Sequence, residues 1–422
     1  MIKKILPTMI GAALVGGMAP AVADVTVFGH LDTSVDYVVA GDSTTTLNCN
    51  TWSLGFMGSE DLGTGLKAIC KLEFQFDMTE RDTGRARASK QTFSAVTKIN
   101  VDTGSNYATK TPGTGSASAV TKVSGSSDSF TVVTEVSDTS SITDRDQWLG
   151  LAGNFGQIRI GTISTIYKSH GAMIDPVYRT SAQARGVGLQ SRLHSGAGEE
   201  GQGRAENTFR YDSPSWNGLK IGATYTMQTD TGNTTNSPFS VGAQYKNGPF
   251  LVFADYNTND NGGDDAAYKL GGKWTFGNYS LYGQYEFDDG LISFADGTQG
   301  GNKGDSGDGA DVWEIGGTAQ FGNNTLVAAY GQGDKTSGGN GINNEYEVFE
   351  IVGVHSLSKR TAVYGGYVNI QPDADSDWDA DIVTVGMKHK FYSEVSRRAG
   401  EQGRLALLSQ VLSLTAVGIV KI

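Results

Sequence analysis

From Val25 the chain alternates in a strict period of two. Val25, Val27, Gly29, Leu31, Thr33 and Val35 fall on one side of an extended strand, and Thr26, Phe28, His30, Asp32, Ser34 and Asp36 on the other. The pattern returns at Leu66, Ala68, Cys70, Leu72, Phe74 and Phe76 against Lys67, Ile69, Lys71, Glu73, Gln75 and Asp77. Such a strand has one apolar face and one polar face. In a soluble sandwich these strands would run about five or six residues. Here they run about nine to thirteen, the length of a tilted strand that crosses a bilayer with lipid on one face and water on the other.

The connections alternate as well. Short turns are expected at 59–66, 153–157, 213–218, 246–249, 275–278, 321–324 and 356–360. Longer segments rich in Gly, Asp, Ser and Asn are expected at 38–48, 78–144, 166–205, 229–237, 257–265, 288–310, 333–344 and 371–379. Together these join sixteen strands. The fold class is therefore all-β: a 16-stranded antiparallel transmembrane β-barrel with short periplasmic turns, long external loops and closure between the last strand (Asp381 to Phe391) and the first (Val25 to Tyr37).

Composition agrees with that reading. Glycine is 58 of 422 residues and proline only 8, so the turns depend on Gly, Asn and Asp. Residues 1–23 carry two lysines, an apolar stretch and an Ala-Val-Ala end, the signature of a secretory signal peptide, with an N-terminal anchor as the alternative. Losing Lys3 and Lys4 with that segment takes the net charge from −12 to −14, which excludes a nucleic-acid partner. Two cysteines make no disulfide framework, and neither they nor the five histidines approach the spacing of a metal site. No cofactor is expected.

The stretches VTVFGHLDTSVDY, GSEDLGTGLKAICKLEFQFD, RDQWLGLAGNFGQIRIGT, ENTFRYDSPSWNGLKIGATYT and VGVHSLSKRTAVYGGYVNI, followed by VGMKHKF, resemble in order and spacing the general diffusion porins of Gram-negative outer membranes, in particular the neisserial and related proteobacterial trimeric type. The resemblance spans 24–391. It implies a water-filled channel for ions and small hydrophilic solutes, a homotrimer embedded in lipid and lipopolysaccharide of the cell outer membrane, and a third long loop, here 166–205, folded inward as the constriction.

Strand phase places cations on the lumen side: Lys67 and Lys71 on the third strand, Arg159 on the fifth and Arg210 on the sixth. The third loop offers Asp175, with Lys168, Arg179, Arg185 and Arg192 beside it. The expectation is that Lys71, Arg159 and Arg210 face Asp175 across a narrow point and set up a transverse field, with Lys67 and Arg179 contributing. The alternative is that these charges solvate the lumen away from the narrowest point. Selectivity stays open, because cations at the constriction favour anions while acidic outer loops favour cations.

Residues 100–142, within the second long loop, are Ser/Thr/Gly-rich and read as a mobile surface insertion, or as a latch over a neighbouring subunit. The Asp-rich stretch 372–381 departs from an EF-hand at Trp378, leaving solvation or weak cation bridging to lipopolysaccharide. An outer-membrane enzyme would need a Ser/His pair in context, and none is evident; a non-conducting adhesin or structural barrel would need large side chains filling the lumen, where small ones are frequent. Beyond Phe391 the chain continues with a polar stretch and a charge-free apolar run at 405–420, shorter than the roughly 20 residues a spanning helix needs. The extension 392–422 is expected to be either a short helix in or under the pore, or a non-native readthrough.

Overall fold

The computed structural model describes residues 24–77, 79, 108–110, 118–126, 129–137, 142–195, 203–227, 237–258, 266–294, 310–334, 345–372 and 379–395. In chain order the strands are β1 (Asp24–Ala40), β2 (Asp42–Gly63), β3 (Leu66–Phe76), β4 (Ala108–Lys110), β5 (Ser118–Ser126), β6 (Ser129–Ser137), β7 (Ile142–Gly153), β8 (Gly156–Ser164), β9 (Arg204–Asp212) and β10 (Leu219–Thr226). They continue as β11 (Phe239–Asn247), β12 (Phe250–Thr258), β13 (Ala266–Phe276), β14 (Tyr279–Asp289), β15 (Val312–Phe321), β16 (Asn324–Gly333), β17 (Tyr346–Ser356), β18 (Thr361–Pro372) and β19 (Ala380–Val395). Sixteen of them, all but β4 to β6, close into one barrel in sequential order. β19 meets β1 antiparallel from Val25↔Val395 to Val39↔Asp381, so neither terminal strand leaves an edge for hydrocarbon to strand.

The seven short turns fall where the sequence puts them, but the first long segment does not. In place of a loop over 38–48, β1 runs to Ala40 and β2 starts at Asp42, with Gly41 alone at φ +73° turning the chain. Val38, Val39 and Thr44 to Thr46 are β-branched and favour extended backbone, and Gly41 supplies the left-handed residue that a tight turn needs. A bulge between Asp32 and Thr33 of β1 and Cys49 to Thr51 of β2 then resets the phase. As a result Asn48 donates to Asp36 (2.7 Å), and Asn50 donates to Asp32 (2.8 Å) and Ser34 (3.0 Å), so the polar inner row of β1 is hydrogen-bonded.

β19 also outruns its expected end. It continues through Phe391 to Val395, pairing with the first residues of β1. Residues 1–23 and 396–422, where the signal peptide and most of the extension were read, lie outside the described residues. Residues 74–144 form a compact unit of their own. Within the stretch read as an insertion, β4, β5 and β6 make a small antiparallel sheet, consistent with the Thr/Val alternation of 118–123 and 129–136.

The two faces of the barrel differ as the period of two requires. Leu270 and Val385 on the outside are 67 % and 63 % exposed, whereas Glu286 and Asn257 on the inside are fully covered. Inward aromatic rings lie flat over glycines of the neighbouring strand: Phe28 over Gly55, Phe253 over Gly271, Tyr282 over Gly316 and Tyr364 over Gly386. These pairs keep bulky residues against the wall instead of across the lumen. A β-carbon at Gly386 would fall 2.3 Å from the Tyr364 ring. Gly386→Ala is therefore expected to push that ring away, break the Tyr364 hydroxyl's 2.8 Å bond to Asp32 and cost about 1–3 kcal/mol. Urea unfolding followed by tryptophan fluorescence checks this, and Tyr364→Ala in the same chain should remove the clash.

Candidate channel constriction

The loop after β8 turns inward and lies along the inner wall. Its helix α1 (Ile166–Ile174) is capped by Thr165, whose hydroxyl accepts from Lys168 N. Ile166 at its start sits over Gly222 and Gly242, paired residues of β10 and β11 where a β-carbon would approach it to 2.3 and 2.6 Å. Farther on come a short helix α2 (Ala184–Val187) and a 3-10 turn over Arg192–His194. Ile174, Val177, Ala182, Val187 and Leu189 of the loop join Val327, Tyr346, Val348, Val352, Tyr364 and Val368 of the wall in one buried apolar cluster.

Buried polar groups fasten the same loop. On β12, β13 and β14, Asp255, Lys269 and Glu286 stand opposite one another in register. Asp255 takes His170 (2.6 Å) and Lys269 (3.2 Å), while Glu286 accepts from the Tyr167 hydroxyl (2.8 Å), the Ser191 amide (3.1 Å) and the Ser191 hydroxyl. Lys269 donates to the Tyr167 carbonyl and lies 3.8 Å from the Tyr167 ring centre. Gln190 bridges Glu314 (2.9 Å) and the Gly171 carbonyl, and Ser181 at the far end meets Thr384 of β19 (2.7 Å). Burial holds the His194 imidazole well below its usual range, with Lys269 adding to the effect. The loop thus covers the wall from β10 to β19 and leaves the open lumen against β1 to β3 and β7 to β9.

Each expected site residue can now be placed. Lys71 pairs with Glu73 (2.7 Å) and Asp146 (3.1 Å). Arg159 pairs with Asp212, and Arg210 chelates Asp212 while donating to the Ser164 carbonyl (2.6 Å) and Ser169 hydroxyl (2.8 Å) at the start of the loop. Asp175 meets none of these three cations. Its carboxylate accepts from the loop's own amides, Val177 (2.9 Å) and Ala184 (3.0 Å), and burial lifts it to about 6 against the pull of those bonds. Arg179 reaches across to Glu73 at 3.6 Å, from a left-handed backbone at φ +73°. Lys67 is exposed near the turn end of β3, four residues or roughly 13 Å along the strand from Lys71.

The lumen cluster includes residues that the phase reading did not single out. Arg145 meets Glu73 at 2.9 Å and Arg204 meets Asp146 at 2.9 Å. Glu73 was on the inward row from the start, so its position beside Lys71 was a usable signal. Arg145 and Asp146 are neighbours in β7, and strict alternation does not put both at one cluster.

A family profile described as Gram-negative porin matches residues 10–375. The chain belongs to the Gram-negative porins. Among its relatives, the major outer membrane protein P.IB of Neisseria meningitidis serogroup A is 24% identical over 409 residues, covering 92% of this chain and all of that one. The outer membrane porin protein 32 of Delftia acidovorans is 26% identical over 404 residues, 91% of this chain and 92% of that one. The fold matches an anion-selective porin from Comamonas acidovorans with TM-score 0.58 and 23% identity, over 88% of this chain and 100% of that one. It matches a Salmonella typhi OmpF complex with TM-score 0.56 and 15% identity, over 87% and 97%. This porin is a passive diffusion channel of the outer membrane and carries out no chemistry on what it passes.

The loop's fastening makes a direct prediction. Lys269→Met leaves Asp255 and Glu286 buried without their cation, which should cost about 3–5 kcal/mol and free the loop. The folded band on semi-native gels should convert at lower temperature, and single-channel traces should become noisier.

Proposed function

We propose that the constriction of this porin lies between Arg179 on the third loop and the Lys71, Glu73, Arg145, Asp146 and Arg204 cluster of β3, β7 and β9, and that it favours small anions. The observation that carries this reading is the Arg179 to Glu73 approach, where the loop's free edge comes within ion-pair distance of the opposite wall. Cations outnumber carboxylates there: Lys71, Arg145, Arg179, Arg185 and Arg204 surround only Glu73 and Asp146. With cations on both the loop and the wall, the potential at the gap is positive throughout rather than transverse, which lowers the barrier for anions and raises it for cations. Arg159 and Arg210 act beside this gap, through Asp212 and the root of the loop, and Lys67 belongs to the approach from the turn side.

Arg179→Gln removes the cross-lumen contact and one positive charge. Single-channel conductance in KCl should rise, and the reversal potential in a salt gradient should move toward cation selectivity. An unchanged reversal potential would sink the assignment. The effect should shrink as ionic strength rises, because an 8–10 Å screening length is comparable to a pore radius at roughly 0.1–0.15 M salt.

The assembly unit is proposed to be a homotrimer. An outer membrane protein of Vibrio cholerae with the same fold has been described in a trimer form. In this chain the outer faces of β19, β1, β7 and β8 supply an aliphatic surface of Val383, Val385, Met387, Val35, Leu149, Leu151 and Ile160 suited to packing against another barrel. Native mass spectrometry of the detergent-extracted protein tests this; a monomer at all protein concentrations would refute it.

A further inference from the structure

Beneath the helix of the third loop, on the side of the short turns, the lumen wall holds a cavity of about 550 Å³. It is bounded by β8 to β11 and by Ser169 and Met173 of α1, and its polar lining includes Arg159, Arg210, Asp212, Ser213 and Lys220. Its charges are unequal: three cations face a single carboxylate.

The cations differ in what they have left to give. Arg210 is committed, with Nε and Nη2 on Asp212 and Nη1 on the Ser164 carbonyl and Ser169 hydroxyl. Arg159 spends only Nη2, on Asp212, and its guanidinium lies 5.1 Å from the Trp148 ring centre. Its Nε is buried and has no hydrogen-bond partner. An unmatched donor on a fixed, charged group costs free energy unless something accepts from it. Lys220 is exposed and shares the cavity with it, one strand beyond the Arg210 row.

We infer that this cavity is a subsite for a small oxyanion carrying two negative charges, held by the unspent edge of Arg159 and by Lys220, with the Ser213 hydroxyl within the same lining. The geometry suits that class. A guanidinium edge presents parallel donors to two oxygens of a phosphate or similar group, and an ammonium adds a point charge without demanding direction. The excess of two positive charges matches the ligand's charge, and Asp212, already held by both arginines, keeps them in place. The subsite lies off the proposed constriction, so a solute would pause there on its way between the gap and the turn-side mouth. The inference rests on the reading of the chain as an anion-favouring channel.

Inorganic phosphate serves as the probe. Chloride current through the full-length porin in planar bilayers is recorded at about pH 8, above the second ionisation of phosphate, while phosphate replaces chloride at constant ionic strength. The expected result is a saturating fall in single-channel current, with half-saturation moved about tenfold higher in Lys220→Gln and in Arg159→Gln, and unmoved in Lys67→Gln. Lys220 is exposed and makes no ion pair among the described residues, so its variant keeps the test open if Arg159→Gln fails to assemble. A normal chloride current with no saturation overturns the subsite and leaves the channel reading standing. Saturation that follows Arg179→Gln but not Lys220→Gln places phosphate at the constriction and overturns it as well. Loss of anion preference in the unmodified porin would instead remove the reading on which the subsite rests.

Discussion

Hydrocarbon offers no hydrogen bonds, and that single deficit organises this molecule. A sheet placed in it must close, so β19 runs antiparallel to β1 along nearly its whole length. Closure in turn fixes which face of every strand is outside. The outer rows are aliphatic and aromatic, and the inner rows, cut off from lipid, carry Asp, Glu, Lys, Arg and Gly. The inner face therefore accumulates groups that need partners, and what supplies those partners decides the shape of the channel.

On β10 to β19 the partner is the third loop. Asp255, Lys269, Glu286 and Glu314 would be expensive as isolated buried charges; with His170, Tyr167, Gln190 and Ser191 against them they become the attachment of that loop. On β3, β7, β8 and β9 the loop is absent, and the charges pair with one another instead: Lys71 and Arg145 with Glu73, Arg204 with Asp146, Arg159 and Arg210 with Asp212. The open lumen lies on the self-paired side, and Arg179 closes the gap between the two halves. Arg210 belongs to both, since it holds Asp212 and also the first residues of the loop.

Much of the fold was legible because period-two alternation and turn chemistry are local. The strand count, the seven short turns and the inward rows containing Lys71, Glu73, Arg159 and Arg210 follow from neighbours along the chain. The failures were also local in origin. A lone Gly41 flanked by β-branched residues turned a presumed loop into a hairpin, and the bulge at Asn50 shifted a phase that alternation alone would carry through. Asp175 looked like the acid of the constriction because it was the loop's central carboxylate, yet two of the loop's own amides claim it. Which donors a loop carboxylate finds depends on how the loop folds back on itself, and composition holds no trace of that.

The sequence by itself determined that this chain is a closed sixteen-stranded barrel in a membrane, since the alternation, the strand length and the sequence of turns admit no soluble arrangement that buries the apolar faces. It also determined which side chains look inward. Only the tertiary structure decided which of those inward charges meet: Arg179 with Glu73 lies more than a hundred positions apart in the chain, and Arg145 with Asp146 breaks the alternation. Strand phase is set by bonds between adjacent residues, whereas the pairing of charges across a lumen is set by the path of a loop through three dimensions.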